Sequence, residues 1–249
     1  MFSGLYRRLN ERLLPHLLSG RFSAANLNPS AFRHVAIFPR LGIAYNRVKK
    51  NANSTTMAAL YLLETGRAGQ ERESKLGVPS LVRASPMLLP RVASLDYITI
   101  VRNPYSRVLS AFLNKFAKPE YVERYGHFEL DAAGFARFVT WLGLGAIDDD
   151  MHWDIQTKLL MTVPAEFDTV LEFEAFPGNL VLFLEKRGIS LPIQLDEILG
   201  TINAASRTRA AERLRDFYTP GVAQQVADLF RKDFELLPYD PNFETALKL

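Results

Sequence analysis

The chain has 249 residues, 48% hydrophobic and 11% aromatic, which is enough for an α/β domain with a full core and too apolar for a disordered protein. A net charge of +3 suits an anionic ligand but is too mild to indicate nucleic acid. The sequence contains no cysteine, which excludes a disulfide framework and a thiolate metal site and is compatible with a reducing compartment.

No run approaches the roughly 18 apolar residues of a membrane span. Met1 to Arg21 sets Arg7, Arg8, Glu11 and Arg12 among Leu13, Leu14, Leu17 and Leu18, without the continuous apolar core of a signal peptide. It reads as a surface helix packing its leucines on the domain, with a basic helix lying on a membrane surface as the alternative. Residues 22–33, rich in Ser, Asn, Ala and Pro, read as a loop. Residues 1–33 are therefore an N-terminal helical and loop extension, and 34–249 the main domain.

Two short β-prone segments follow, His34 to Phe38 and Ile43 to Val48, separated by Pro39 to Gly42. The second runs into Lys49-Lys-Asn-Ala-Asn-Ser-Thr-Thr56 and then into a helix face carrying Met57, Ala58, Leu60 and Tyr61. Strand, small-residue loop and helix is the order in which backbone amides cradle a phosphate and a lysine neutralises it. The Gly-x-x-x-x-Gly-Lys-Ser/Thr pattern of a Walker A loop is absent. Ser/Thr capping of a helix is the plainer explanation of these residues. Residues 64–94, punctuated by glycines and prolines, read as a long surface connection of a length that is often functional and that here could shape a binding cleft.

Tyr97 to Val101 alternate as a buried strand, Asn103 offers an N-cap, and Pro104 occupies a first helical position. Val108, Leu109, Phe112, Leu113 and Phe116 then form one apolar stripe. Arg102 stands at the carboxyl end of the strand, and Ser110 lies eight residues on, off the stripe. Such a junction binds anions, because free N–H groups and the helix dipole favour negative charge.

Asp131 caps a predicted helix with Phe135, Phe138, Val139 and Leu142 on one face, closed by Gly143 and Gly145. Next comes Asp148-Asp-Asp-Met-His-Trp-Asp-Ile-Gln156, where a hydrogen-bonded structural histidine is the ordinary reading of His152. A histidine beside several carboxylates would also have its pKa raised and its ring oriented, as a general base requires. Phe167 to Glu174 alternates as a strand, and Phe176 to Arg187 reads as a helix. The tail is helical over Leu195–Leu199, Arg207–Phe217 and Pro220–Phe234, with Asn203 to Arg209 a basic turn.

Taken together these strings resemble the sulfotransferases that use 3′-phosphoadenosine 5′-phosphosulfate (PAPS), above all the carbohydrate sulfotransferase family that includes the chondroitin 4-O-sulfotransferases (sulfotransferase family 2). Arg102-Asn-Pro-Tyr-Ser-Arg-Val-Leu-Ser-Ala-Phe112 resembles the 3′-phosphate motif, which implies that Arg102 and Ser110 hold that phosphate. Lys49 to Thr55 resembles the 5′-phosphosulfate loop Pro-Lys-x-Gly-x-Thr. On that match Lys50 is the catalytic lysine, and Asn51, Ala52, Asn53, Ser54 and Thr55 line the cofactor. Ala52 stands where glycine is usual, and its Cβ restricts φ and close backbone approach. His152-Trp-x-x-Gln156 resembles a His-Trp-x-Pro-Gln element and implies that His152 is the base. Phe-Glu at 173–174 and Asp233-Phe-Glu-Leu-Leu-Pro-Tyr239 resemble later family segments, and Arg207 belongs to the turn that closes over the nucleotide in related enzymes.

The resemblance spans roughly residues 43–240. It implies an α/β fold with a central parallel sheet flanked by helices, P-loop-like but not nucleotide-hydrolysing. The implied reaction is sulfuryl transfer from PAPS, without a metal, to a hydroxyl of a carbohydrate or glycolipid. Two rival readings are a nucleotide kinase on a similar core and a non-catalytic anion-binding module. The expected setting is cytoplasmic, with the N-terminal helix as a point of peripheral membrane contact and no nucleic-acid partner.

Overall fold

A computed structural model describes residues 2–205 and 208–248. In chain order the elements are α1 (Phe2–Leu18), β1 (Val35–Phe38), β2 (Ile43–Asn46), α2 (Asn53–Thr65), α3 (Glu71–Leu76), β3 (Asp96–Val101), α4 (Pro104–Lys115), α5 (Pro119–Tyr125) and α6 (Ala132–Gly143). After these come β4 (Thr169–Glu172), α7 (Gly178–Lys186), α8 (Ile193–Ala205), α9 (Leu214–Phe217), α10 (Pro220–Leu229), α11 (Arg231–Leu236) and α12 (Phe243–Ala246). They fall into two compact units. One is built from the chain up to Val48, from Ala52–Val101 and from Leu159–Asn203; the other from Lys49–Asn51, Arg102–Lys158 and the chain from Ala204 on.

The first unit holds a four-stranded sheet in the order β1-β2-β3-β4. The pairs β2–β3 and β3–β4 are parallel, and β1 pairs antiparallel with β2 through the tight connection at 39–42, so the parallel sheet carries one antiparallel edge. Successive residues send their side chains to opposite faces, and both faces are covered. Val35, Ile37, Ala44 and Tyr97 join Leu14, Leu18, Phe22 and Leu81 on one side. Ala36, Phe38, Ile43, Tyr45, Ile98 and Ile100 join Met57, Leu60, Leu180 and Leu184 on the other. Two-sided burial explains why these strands read as nearly continuous apolar runs.

The N-terminal segment supplies part of the first cover. Leu14 and Leu18 of α1 are fully buried, and Asn10 donates its amide to the carbonyls of Val82 and Ala84 at 3.2 and 2.8 Å. The 64–94 connection is folded rather than open. It contains α3, held to α2 by the Tyr61 hydroxyl donating to Glu73 at 3.0 Å, and 3-10 turns that bury Leu81, Val82, Leu89 and Val92. Glycine and proline break its apolar residues into pieces too short to show a period. No helix among the described residues is long and apolar enough to cross a membrane.

The second unit is helical and centred on α4, against which α6, α9, α10 and α12 pack. The α4 stripe meets an aromatic cluster in which Phe112 lies 5.3 Å from both Phe135 and Phe138 and Phe116 stacks on Trp153 at 6.0 Å, centroid to centroid. Asn103 caps α4 by accepting from Tyr105 N–H at 3.0 Å, and Asp131 caps α6 by accepting from Gly134 N–H at 2.7 Å, as their positions predict. Of the helix expected over 207–217, residue 207 lies outside the described residues and the rest reduces to α9, with Arg209 in a left-handed φ of 47° that is incompatible with helical winding there.

Candidate active site

Two chain connections bring the site residues into the second unit. The loop after β2 delivers Lys49, Lys50 and Asn51, and the end of β3 runs without a linker into Arg102 and then α4. Buried hydrogen bonds lock the two together. Arg102 donates from Nη1 to the Lys50 carbonyl at 3.0 Å and from Nε to the Ser106 hydroxyl at 2.8 Å. Arg107, only 1% exposed, donates to the carbonyls of Lys49, Asp154 and Met151 at 3.2, 2.6 and 3.2 Å. One guanidinium thereby fixes both the Lys50 loop and the backbone on either side of His152.

Gln156 completes the lock. Its side chain accepts from Asn51 Nδ2 at 2.7 Å and from Arg102 N–H at 3.0 Å, and donates to the Arg102 carbonyl at 2.7 Å. Its own N–H donates to the fully buried Asp233 carboxylate at 2.9 Å, which also accepts from the N–H and hydroxyl of Thr157 at 2.9 Å each. The Asp233 segment near the C-terminus is thus part of the scaffold that holds the loop. Asn51 is a structural member of that scaffold, since it is wholly buried and gives its amide to Gln156.

Lys50 is the electrostatic centre. Burial, then the charges of Arg102, Lys115, Arg107 and Lys118, lower its pKa to about 7. Its ammonium has no hydrogen bond or ion pair with another described residue. The backbone there takes a left-handed φ of 70°. A lysine surrounded by cations and held on an unfavourable backbone is a preformed receptor for negative charge.

Ser110 is 3% exposed and accepts from the Thr208 hydroxyl at 3.1 Å, so one residue of the basic turn meets the Arg102–Ser110 segment. Arg207 lies outside the described residues. Ala52, Asn53, Ser54 and Thr55 belong to the first unit, at the start of α2. Ala52 occupies the left-handed region at φ 53°, the conformation that glycine takes most easily, so alanine is strained at this position. Ser54 has its hydroxyl engaged with Glu71 at 2.9 Å.

His152 stands on the far side of the Arg107 lock. Its Nδ1 meets Asp150 Oδ1, its backbone N–H donates to the same oxygen at 2.9 Å, and Tyr121 donates its hydroxyl to Asp150 Oδ2 at 3.1 Å. Burial alone would raise the Asp150 carboxyl. The hydrogen bonds from His152 and Tyr121, with the imidazole's charge, outweigh it and hold the group at about 2. An ionised Asp150 keeps the proton on Nδ1 and leaves the Nε2 lone pair as acceptor. The imidazole pKa is lowered rather than raised as expected, because burial, with help from Lys115 and Lys49, outweighs Asp150. A neutral ring at pH 7 is the form a base needs. Trp153, fully buried with its indole N–H on the Ala146 carbonyl at 2.9 Å, anchors the adjacent backbone.

Sequence reasoning missed Lys115, Tyr121 and Thr208 and assigned no role to Arg107 or Gln156. Arg107 and Gln156 sit inside the quoted motifs, where a long polar side chain in an apolar context was the available signal. Among the described residues, no group of three or more His, Cys, Asp and Glu side chains is placed to hold a metal ion.

A mostly parallel α/β sheet whose strands run into a cationic loop and a capped helix, with an oriented histidine close by, defines an anion-handling transferase. The chain belongs to the sulfotransferase family: the family model of sulfotransferase family 2 matches residues 33–240, more than four-fifths of the chain. No curated protein and no solved structure matches it.

Proposed function

We propose that this sulfotransferase takes its sulfuryl group from PAPS and delivers it to a hydroxyl of a carbohydrate or glycolipid. The observation that carries the reading is Lys50, partly buried, without a counter-ion among the described residues, and depressed by burial and by four neighbouring cations. A multiply charged anion completes such a site. PAPS offers two anionic ends, and the chain has two matching groups in Lys50 and the Arg102–Ser110 segment. The donor supplies a sulfuryl group on a phosphate leaving group.

Lys50 stabilises the charge that develops on the departing phosphate oxygen, an interaction strongest in the transition state. Arg102 and Ser110 hold the 3′-phosphate and set the donor's register. His152 accepts the acceptor hydroxyl's proton at Nε2, with Asp150 fixing the ring and supporting its positive charge. The His152-Trp153-x-x-Gln156 element favours a sugar hydroxyl as acceptor through its likeness to carbohydrate sulfotransferases.

The test is transfer from radiolabelled PAPS to a panel of glycans and glycolipids, with calorimetry of the adenosine 3′,5′-bisphosphate product and of ATP beside it. Labelled glycan with tight bisphosphate binding is the expected result. Binding of ATP in preference to the bisphosphate, with no label transferred, would refute the assignment.

A further inference from the structure

Lys115, the last residue of α4, is nine-tenths buried, yet its ammonium makes no hydrogen bond or ion pair with another described residue. Its contact is the face of Tyr121, with Nζ 4.7 Å from the ring centroid. That ring is itself tied to the base, since its hydroxyl lies 3.1 Å from Asp150 Oδ2 and 3.4 Å from His152 Nδ1. Burial lowers the Lys115 pKa, Lys118 and Lys49 lower it further, and Asp150 and Glu120 only partly oppose them. A cation–π contact recovers a fraction of the hydration lost by a buried ammonium. Lys115 therefore weakens the empty protein and has no structural partner that explains its presence.

Its position supplies the explanation. Lys115 comes second only to Arg102 among the charges that depress Lys50, and it is the leading charge that depresses His152. Through the Tyr121 ring it adjoins Asp150 and His152, the group assigned to the attacking oxygen, and its charge also acts on Lys50, the group assigned to the leaving one. In an in-line displacement the sulfur passes between those two oxygens. Its three equatorial oxygens carry negative charge that a further cation between those two groups would stabilise.

We propose that Lys115 is a further catalytic residue, contacting the sulfuryl oxygens during transfer; this rests on the PAPS reading above. In the balanced step the acceptor oxygen bonds to sulfur, its proton passes to His152, and the S–O bond to the phosphate breaks with its electron pair left on the bisphosphate. Lys115 stays protonated throughout and follows the sulfuryl group, while Lys50 stays with the leaving phosphate. The sulfuryl group is what distinguishes PAPS from the product, so Lys115 contributes to the binding of one and not the other.

The experiment compares wild type with Lys115→Met and Lys115→Arg by calorimetry with PAPS and with the bisphosphate, by thermal melting without ligand, and by steady-state kinetics. In Lys115→Met the PAPS affinity falls roughly tenfold or more, as when a charged hydrogen bond is lost, and bisphosphate affinity changes about twofold. The turnover number falls about 10²-fold, and Lys115→Arg recovers part of it. The melting temperature of the empty Met variant stays level or rises. Equal losses for PAPS and bisphosphate, or a fall in melting temperature with both, would overturn the proposal in favour of a structural lysine. Unchanged donor affinity with a raised acceptor KM would overturn it in favour of an acceptor contact. Wild-type protein that binds neither nucleotide would remove the PAPS reading itself, a result distinct from any defect confined to the variant.

Discussion

Replacing Lys50 by methionine should yield a protein that is more stable and inactive. The lysine pKa drops from 10.5 to about 7 on folding, through burial and then its cationic neighbours. Because the folded value is depressed, the unfolded chain binds the proton more readily at every pH below 10.5. Stability is therefore lost as pH falls from 10.5 to 7, and the loss is complete below 7. A depression of that size corresponds to on the order of 4–5 kcal/mol as a ceiling, and relaxation with water penetration leaves about 1–3 kcal/mol. Methionine keeps the apolar stem and discards the charge. Urea unfolding should thus show Lys50→Met more stable than wild type at pH 6, with the gap closing toward pH 10. Ligand binding should report the same titration. Bisphosphate binding that restores the charged form should take up protons at pH 8 and markedly fewer at pH 6, read from calorimetry in buffers of different ionisation enthalpy. A variant no more stable at pH 6, together with no proton uptake at pH 8, would refute the depressed lysine and its role as the empty site's unsatisfied charge.

Arg102→Ala should weaken bisphosphate binding by about 1.5–3 kcal/mol and adenosine 5′-phosphosulfate binding much less, by calorimetry; equal losses would show that its bond to the Lys50 carbonyl matters more than a phosphate contact. Gln156→Leu strands Asn51 Nδ2, both backbone groups of Arg102 and part of Asp233, so chemical denaturation should show a loss of about 3 kcal/mol or more. Ala52→Gly removes a left-handed alanine and adds glycine's entropy, a net gain of about 0.5–1 kcal/mol; a loss of stability in the same assay would contradict the strain. Turnover should rise with pH through an apparent pKa below 6.5, and His152→Ala should lower it about 10²–10⁴-fold and abolish that rise while the bisphosphate still binds. A matching fall in melting temperature and bisphosphate affinity would instead make His152 structural.

The parts of this molecule that are local in sequence were legible in it. β3 and α4 announce themselves because a run of β-formers, an N-cap and a helical stripe fall on consecutive residues, and α6 does so for the same reason. The edge strand β1 was legible as a strand but not as antiparallel, since the four-residue connection at 39–42 decides its direction and the alternation does not. The 207–217 helix was over-read because one left-handed residue, Arg209, leaves no mark in composition. Lys115 was invisible for a different reason. On a helical wheel it is an ordinary last-turn lysine that favours the helix dipole. Only folding places it over the ring of Tyr121 with no carboxylate paired to it among the described residues. The pKa of His152 was misjudged on the same ground, because the aspartates are sequence neighbours and the opposing lysines, at 49 and 115, are not.

The costs of the fold converge on one place. Lys50 and Ala52 hold left-handed backbones within three residues, and Lys50 and Lys115 are cations that burial disfavours. None of these belongs to the apolar clusters that cover the two faces of the sheet. On the proposed reading an anionic donor relieves that strain and charge, so part of its intrinsic affinity is returned as stability of the protein. A ligand present at a hundred times its Kd stabilises the folded state by about 2.7 kcal/mol, the same order as the deficit at Lys50. On the proposed reading, variants that remove the charge at residue 50 or at residue 115 should gain stability and lose donor affinity.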